Sequence, residues 1–402
     1  MLQILSTLRR HRTATFLIVA EIALTCAIVC NAVFLIRERL ARMDQPSGVA
    51  ESELVRAQLT GIGKQDNAKS ITEQDIAALR AIPGVKDATG INMIPFGGSS
   101  WNTGISVNRD DPSNQINVGM YMGRSLIGVL GVHLIAGRDF LPEEYSDYDD
   151  EKATPKQVIV TKAVADHYYP HDTALGKPLY VSGREPQTIV GIIDHIARPN
   201  EGYHSGPDGA KYAVMLPVVV PYTAGGTYVM RIDPLQRDTV LAAIEPALTK
   251  VDPNRLVLKH DSFADVRTYH FKTDRSMAYL LAIAAIALLV ITALGIVGLA
   301  SFWVQQRTRQ IGVRRALGAT RGDILRYFQL ENFILATAGI VLGMALAYAI
   351  NQWLMRAYEV PRLPGLFLPI GAAMLWLLGQ IAVLGPALRA SLIPPAVATR
   401  TI

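Results

Sequence analysis

Few residues in this chain are spaced for catalysis. His167 and His171 stand four apart, a ligand spacing on a helix, but Pro170 between them breaks the helix that would place both on one face. Asp194-His195 supplies two members of a charge relay, yet no serine sits in a G-x-S-x-G elbow to complete it. The run Asp147-Tyr148-Asp149-Asp150-Glu151 lacks the glycine and spacing of a calcium loop and reads as a solvated loop. Gly97-Gly98 belongs to a flexible loop leading into Trp101. It is not a phosphate cradle, because no G-x-x-x-x-G-K-[ST] occurs in the chain. The expectation is therefore a protein with no catalytic residue, no metal site, no bound cofactor and no ATPase motor of its own.

What remains is a concentration of charge. Between Trp303 and Phe328 stand six arginines (Arg307, Arg309, Arg314, Arg315, Arg321, Arg326) and a single acid, Asp323. Gly312 and Gly318 punctuate the stretch, and Thr320-x-x-Asp323 predicts a helix start. There the hydroxyl caps an N–H and the carboxylate sits at the positive helix end. The predicted shape is one helix running past a membrane, a short turn near Gly318 and a new helix climbing back. Two readings stand on charge alone. The arginines fix membrane topology and touch anionic lipid, or they form a rigid basic elbow that docks a soluble cytoplasmic protein.

The elements around the elbow are apolar and long. Met277 to Trp303, Asn332 to Met355 and Leu363 to Leu388 carry no charge, and Thr13 to Ile36 carries only Glu21. Each exceeds the ~20 residues that cross a bilayer. The first is read as an uncleaved span, since it is too long for a signal-peptide core and no small-residue cleavage site follows. With the amino terminus inside, residues 37 to 276 lie outside, the elbow inside, Arg356 to Arg362 outside and the tail from Arg389 inside. From Arg37 to Arg275 there are 26 Lys+Arg against 30 Asp+Glu, and elsewhere 13 against 4. The basic balance thus belongs to the membrane flanks, which argues against nucleic acid as a partner. Cys26 and Cys30 share one face of the first span, and the outer region has no cysteine, which excludes a disulfide scaffold. Glu21 reads as a headgroup or inter-helix hydrogen bond. Gly339-x-x-x-Gly343 is a small-xxx-small packing face, and Gly295 with Gly298 interrupts the second span. Pro364 and Pro369 set the start of the fourth.

The outer region reads as mixed α/β. Glu51 to Thr60 can form a strand. Thr72 is read as the cap of a helix with Asp75 at its third position, Pro83-Gly84 ends that helix, and Val85 to Ile91 can form the next strand. His260, Tyr269, His270 and Phe271 are placed against lipid headgroups.

Gln306-Arg307-Thr308-Arg309-Gln310-Ile311-Gly312-Val313-Arg314-Arg315-Ala316-Leu317-Gly318-Ala319 resembles the E-R-T-R-E-I-G-x-R-x-A-x-G-A motif of MacB/FtsX-type ABC transporter permeases, with Gln306 and Gln310 in place of two glutamates. The outer stretch Leu126 to Phe140 is similar to that family's L-G-V-x-L-x-x-G-R-x-F segment. The tail Pro386-Ala387-Leu388-Arg389-Ala390-Ser391 with Pro395-Ala396-Val397 is similar to its ending. The resemblance implies an α-helical membrane protein with four transmembrane helices plus a mixed α/β periplasmic domain containing a β-rich insert. Its parts are residues 1–44, a periplasmic domain over 45–276 and an FtsX-like domain over 277–402 with the elbow at 304–327. The α/β part covers about 45–120 and 226–276, and the insert about 121–225. The resemblance also implies ATPase coupling at Gln306, Arg307, Arg309, Gln310, Ile311, Gly312, Arg314, Arg315, Leu317 and Gly318, with Gly312 and Gly318 permitting the turn. Partners would be a cytoplasmic ABC ATPase dimer that uses ATP and Mg, a second permease subunit, membrane lipids and a periplasmic adaptor. Two function classes stay open: export of a drug, peptide or lipidated cargo, with lipoprotein release as a variant, and transport-free mechanical signalling to a periplasmic or cell-wall enzyme.

Overall fold

The computed structural model describes residues 12–61, 67–108, 114–148, 155–181, 185–199, 209–224, 226–358 and 362–394. Asp149, Asp150, Glu151, residues 359–361 and the tail motif Pro395-Ala396-Val397 lie outside them. The chain divides into two compact units: Gln45–Lys272, and Met1–Asp44 with Thr273–Ile402.

In chain order the elements are α1 (Arg12–Met43), β1 (Leu54–Gly61), α2 (Ala68–Arg80), β2 (Val85–Ile91), β3 (Asn102–Ser106), β4 (Ile116–Met122), α3 (Leu126–Leu130), β5 (Leu134–Gly137), β6 (Ser146–Asp147), β7 (Gln157–Thr161), α4 (Lys162–Tyr168), β8 (Pro178–Val181), β9 (Gln187–Ile193), β10 (Ala213–Leu216), β11 (Val218–Val219), β12 (Thr227–Ile232), α5 (Arg237–Val251), β13 (Arg255–Ser262), α6 (Phe263–His270), α7 (Lys272–Gln306), α8 (Thr308–Ala316), α9 (Arg321–Tyr358) and α10 (Phe367–Ser391).

The outer unit has two lobes. In lobe one the order is β13-β1-β12-β2, with every pairing antiparallel. β1, α2 and β2 form a βαβ unit whose two strands are separated by β12, which enters from the far side of lobe two. Val240, Ile244 and Leu248 repeat every four residues along α5. They meet Leu79 of α2 and Val55, Ala57 and Met230 of the sheet in one apolar core. α2 starts a turn earlier than its sequence predicts. Thr72 is not its cap: its hydroxyl donates to the Ala68 carbonyl at 2.7 Å and accepts the Tyr222 N–H at 2.9 Å. Asp75 is fully buried, accepts both Nη groups of Arg255 and takes the Tyr228 hydroxyl at 2.6 Å. A buried carboxylate needs such partners, and they come from β12 and β13, which local sequence cannot supply. Phe271 packs on Phe96 with ring centroids 5.1 Å apart and is 1% exposed, so it is buried in protein and not a lipid contact.

Lobe two carries the sheet β5-β9-β7-β10-β4-β3-β8, and a further β8–β9 pairing joins its last strand to its second. Six strands thereby close on themselves, and β5 stays outside the ring, paired to β9. Ile105, Val118, Val158, Val160, Leu179, Ile189 and Val214 fill the interior. This sheet starts at Asn102, so the β-rich insert begins earlier than the expected residue 121.

In the other unit α1, α7, α9 and α10 are each long and apolar enough to cross a membrane. Gly339 and Gly343 of α9 meet α1: a Cβ on Gly339 would lie 2.8 Å from Ile22 Cβ, and one on Gly343 would lie 2.5 Å from Cys26 Cβ. Cys26 and Cys30 are buried free thiols on that face. Thr25 and Thr292 hydroxyls share a hydrogen bond of 2.8 Å between α1 and α7. α7 runs unbroken through Gly295 and Gly298. The Glu21 carboxylate lies against Gly295, where an added Cβ would approach it to 2.7 Å.

Candidate functional site: the arginine elbow

The elbow is a helix of its own with two joints. At the first, Arg307 leaves helical geometry (φ −103°, ψ 8°), and its N–H is shared between the Trp303 and Val304 carbonyls at 3.1 and 3.3 Å. The Thr308 hydroxyl donates to the Val304 carbonyl at 3.0 Å, a local bond that competes with a straight helix. At the second joint Gly318 takes φ +98°, the left-handed conformation glycine tolerates. Its N–H reaches the Arg315 carbonyl at 3.2 Å, and the Ala319 N–H reaches that of Arg314 at 3.0 Å, which together close a Schellman cap on α8. α9 then opens as its sequence predicts. The Asp323 N–H donates to the Thr320 hydroxyl at 3.2 Å, and the Thr320 N–H donates to the Asp323 carboxylate at 2.9 Å.

The arginines divide by environment. Arg307 is 8% exposed, and its Nη1 donates to both oxygens of Glu331 on α9 at 3.1 and 2.8 Å. Its guanidinium also lies 5.5 Å from the Trp303 ring centre. Arg307 is thus a buried joint residue and not a surface contact. Arg315 donates to the Ser391 and Ile393 carbonyls at 2.6 and 3.3 Å, neutralising the negative end of α10. Arg314 is exposed and lies 4.9 Å over the Tyr327 ring. Arg309 is exposed.

Ile311 and Gly312 face inward, Ile311 within a cluster formed by Val304, Ile324, Phe328, Ala387 and Ala390. Gly312 sits mid-helix and makes no turn, so Gly318 alone serves that role. The outward face holds Gln306, Arg309, Gln310, Val313, Arg314, Leu317 and Gly318. Two of these are apolar and uncovered, with Leu317 83% and Val313 45% exposed. They fall four apart on one helical face, flanked by Arg309 and Arg314. Such a face suits a partner that offers an apolar hollow rimmed by acids.

Glu331 is the residue that sequence reasoning missed. It stands one position before the uncharged run of the third span, 24 residues from Arg307. The available signal was a lone acid at the edge of a span beside six arginines. Among the described residues, the outer candidates are engaged separately. The His167 ring packs on Tyr168 and Tyr212, the His195 Nε2–H donates to the Pro46 carbonyl at 3.0 Å, and Asp147 pairs with Lys69 at 2.6 Å.

The MacB-like periplasmic core domain model matches residues 15–247, and the FtsX-like permease C-terminal model matches residues 282–395, which include the elbow. The chain belongs to the MacB/FtsX-type ABC permease family. Its MacB relatives include the macrolide export ATP-binding/permease protein MacB of Shewanella sp. strain ANA-3, 26% identical over 85% of this chain and 51% of that protein. The same protein from Shewanella sp. strain W3-18-1 is 25% identical over 66% of this chain and 40% of its own length. The chain therefore spans about half, or less, of the MacB proteins it matches. Among solved structures, the periplasmic region of MacB from Actinobacillus actinomycetemcomitans aligns with TM-score 0.35 at 11% identity, covering 57% of this chain and 97% of that one.

Proposed function

We propose that this chain is the transmembrane subunit of an ABC exporter in a bacterial inner membrane, with both termini cytoplasmic and the outer unit periplasmic. It pairs with a second permease subunit. A separate ATP-binding dimer, using ATP and Mg, docks on α8 through Val313, Leu317, Arg309, Arg314, Gln306 and Gln310. The observation that carries this reading is the uncovered pair Leu317 and Val313 on a basic helix between two spans. Leaving them in water forgoes the burial that would stabilise them. Movement of α8 passes to α9 through Arg307–Glu331 and to α10 through Arg315, and so reaches the spans. The cargo class supported by family membership is a drug, peptide or lipidated molecule, exported with a periplasmic adaptor.

The test is co-purification from mild detergent. Leu317→Asp and Val313→Asp each place a charge in the apolar contact. They should remove a stoichiometric ATP-binding subunit from the eluate while the permease still elutes as a sharp species. An ATP-binding subunit retained by both variants would refute docking at this face.

A further inference from the structure

The two lobes of the outer unit enclose a cleft of about 210 Å³. Ile76 of α2 and Val219 of β11 line it with apolar surface, as does the Tyr148 ring, which the edge of Trp101 holds at 5.8 Å. Gly90 lets the chain close the floor, because a Cβ there would lie 2.9 Å from the Val220 carbonyl oxygen.

Charge is distributed unevenly around this apolar floor. Lys69 of lobe one reaches Asp147 of lobe two at 2.6 Å, an exposed pair of the weak kind, with Glu73 one turn along α2. Arg80 is held by Asp87 at 2.8 Å. Arg124 lies 5.3 Å over the Tyr145 ring and has no carboxylate partner among the described residues. The cleft therefore pairs an apolar wall with one guanidinium that has no carboxylate partner among the described residues and one ammonium on a weak tether.

We propose that this cleft binds a short apolar molecule ending in a carboxylate, either a medium-chain acyl acid or the free C-terminus of an apolar peptide. The stem lies on Ile76, Val219 and Tyr148. The carboxylate takes Arg124, whose fork matches its two oxygens, and draws Lys69 from Asp147. Glu73 and Asp147 stay in the lining and repel a dianion, which favours carboxylate over phosphate. A ligand touching both lobes stabilises their closed arrangement, since it binds that state better than an opened one. This site does not depend on ATPase docking at α8.

The experiment uses the full chain in lipid nanodiscs and a diazirine-bearing octanoate as photoprobe, with labelled peptides mapped by mass spectrometry. Label is expected on segments containing Ile76 or Tyr148. Octanoate or a free-acid Leu-rich tripeptide should compete, the stronger competitor naming the source. Octanol and the amidated tripeptide should not. Arg124→Gln should cut labelling about tenfold, and Arg124→Lys should restore part of it, which separates lost recognition from lost folding. Labelling that survives Arg124→Gln, equal competition by octanol, or no label in the cleft would each overturn the proposal.

Discussion

Arg307 and Glu331 show why a family motif and a surface are different things. The arginine is the second residue of the elbow motif, yet it is spent inside the protein. A buried ion pair is weak evidence for stability, because desolvation offsets most of its attraction, but removing one partner strands a charge. Arg307→Ala or Glu331→Ala should therefore destabilise by about 3–5 kcal/mol, whereas Arg307→Met/Glu331→Leu should be close to neutral. Heating followed by size-exclusion chromatography reads the difference. If the double variant is as unstable as the singles, the pair is not the source of the loss. A milder residue-scale effect belongs to His195, whose imidazole burial pushes below its ordinary value of 6.5. The unfolded chain then takes up a proton at higher pH than the folded one. The stability from neutral His195 is full above that value and lost as pH falls through it. Thermal melts between pH 7.5 and 5.5 should show a decline that His195→Asn reduces. Equal slopes in both proteins would assign the decline to other groups.

At the scale of elements, helix ends and helix contacts are set by different kinds of sequence. The Gly318 turn and the Thr320/Asp323 box are local, and each appears where its residues predict. The approach of α9 to α1 is not local. A side chain at Gly343 would collide with Cys26 and with the Ala23 carbonyl, 2.6 Å from the added Cβ, so the helices must separate to admit one. Gly343→Leu should cost on the order of 1–3 kcal/mol through overpacking and lower the yield of intact protein in detergent. Gly298→Leu, facing open space on α7, should leave the yield unchanged and serves as the control. Comparable losses from both would mean that close α1–α9 packing is not what Gly343 provides.

For the whole molecule, lobe two behaves as an insertion within lobe one. Ile91 at the end of β2 is the register partner of Thr227 at the start of β12, and a Cβ on Gly90 would lie 2.9 Å from the Val220 carbonyl oxygen. The chain leaves and re-enters lobe one at neighbouring points, the geometry that tolerates excision. Replacing residues 94–218 by a short Gly/Ser linker should leave β1, β12 and α5 folded, with slow amide exchange retained in the full-length membrane protein. Fast exchange throughout lobe one would show that its core depends on lobe two.

The four spans, the elbow's turn and cap, and the family were legible in the sequence because each depends on residues close together along the chain. Uncharged runs report on the bilayer, Gly318 on a positive φ, and the fourteen-residue motif on ancestry. Tertiary structure alone decided which arginines face outward, that Asp75 is a buried partner of Arg255, where lobe two begins, and that six strands close on themselves. Each of these depends on pairing between distant residues: Arg307 with Glu331, β2 with β12, β8 with β9. The fate of a charged or polar group is settled by what the fold brings beside it, and no local pattern of side chains carries that information.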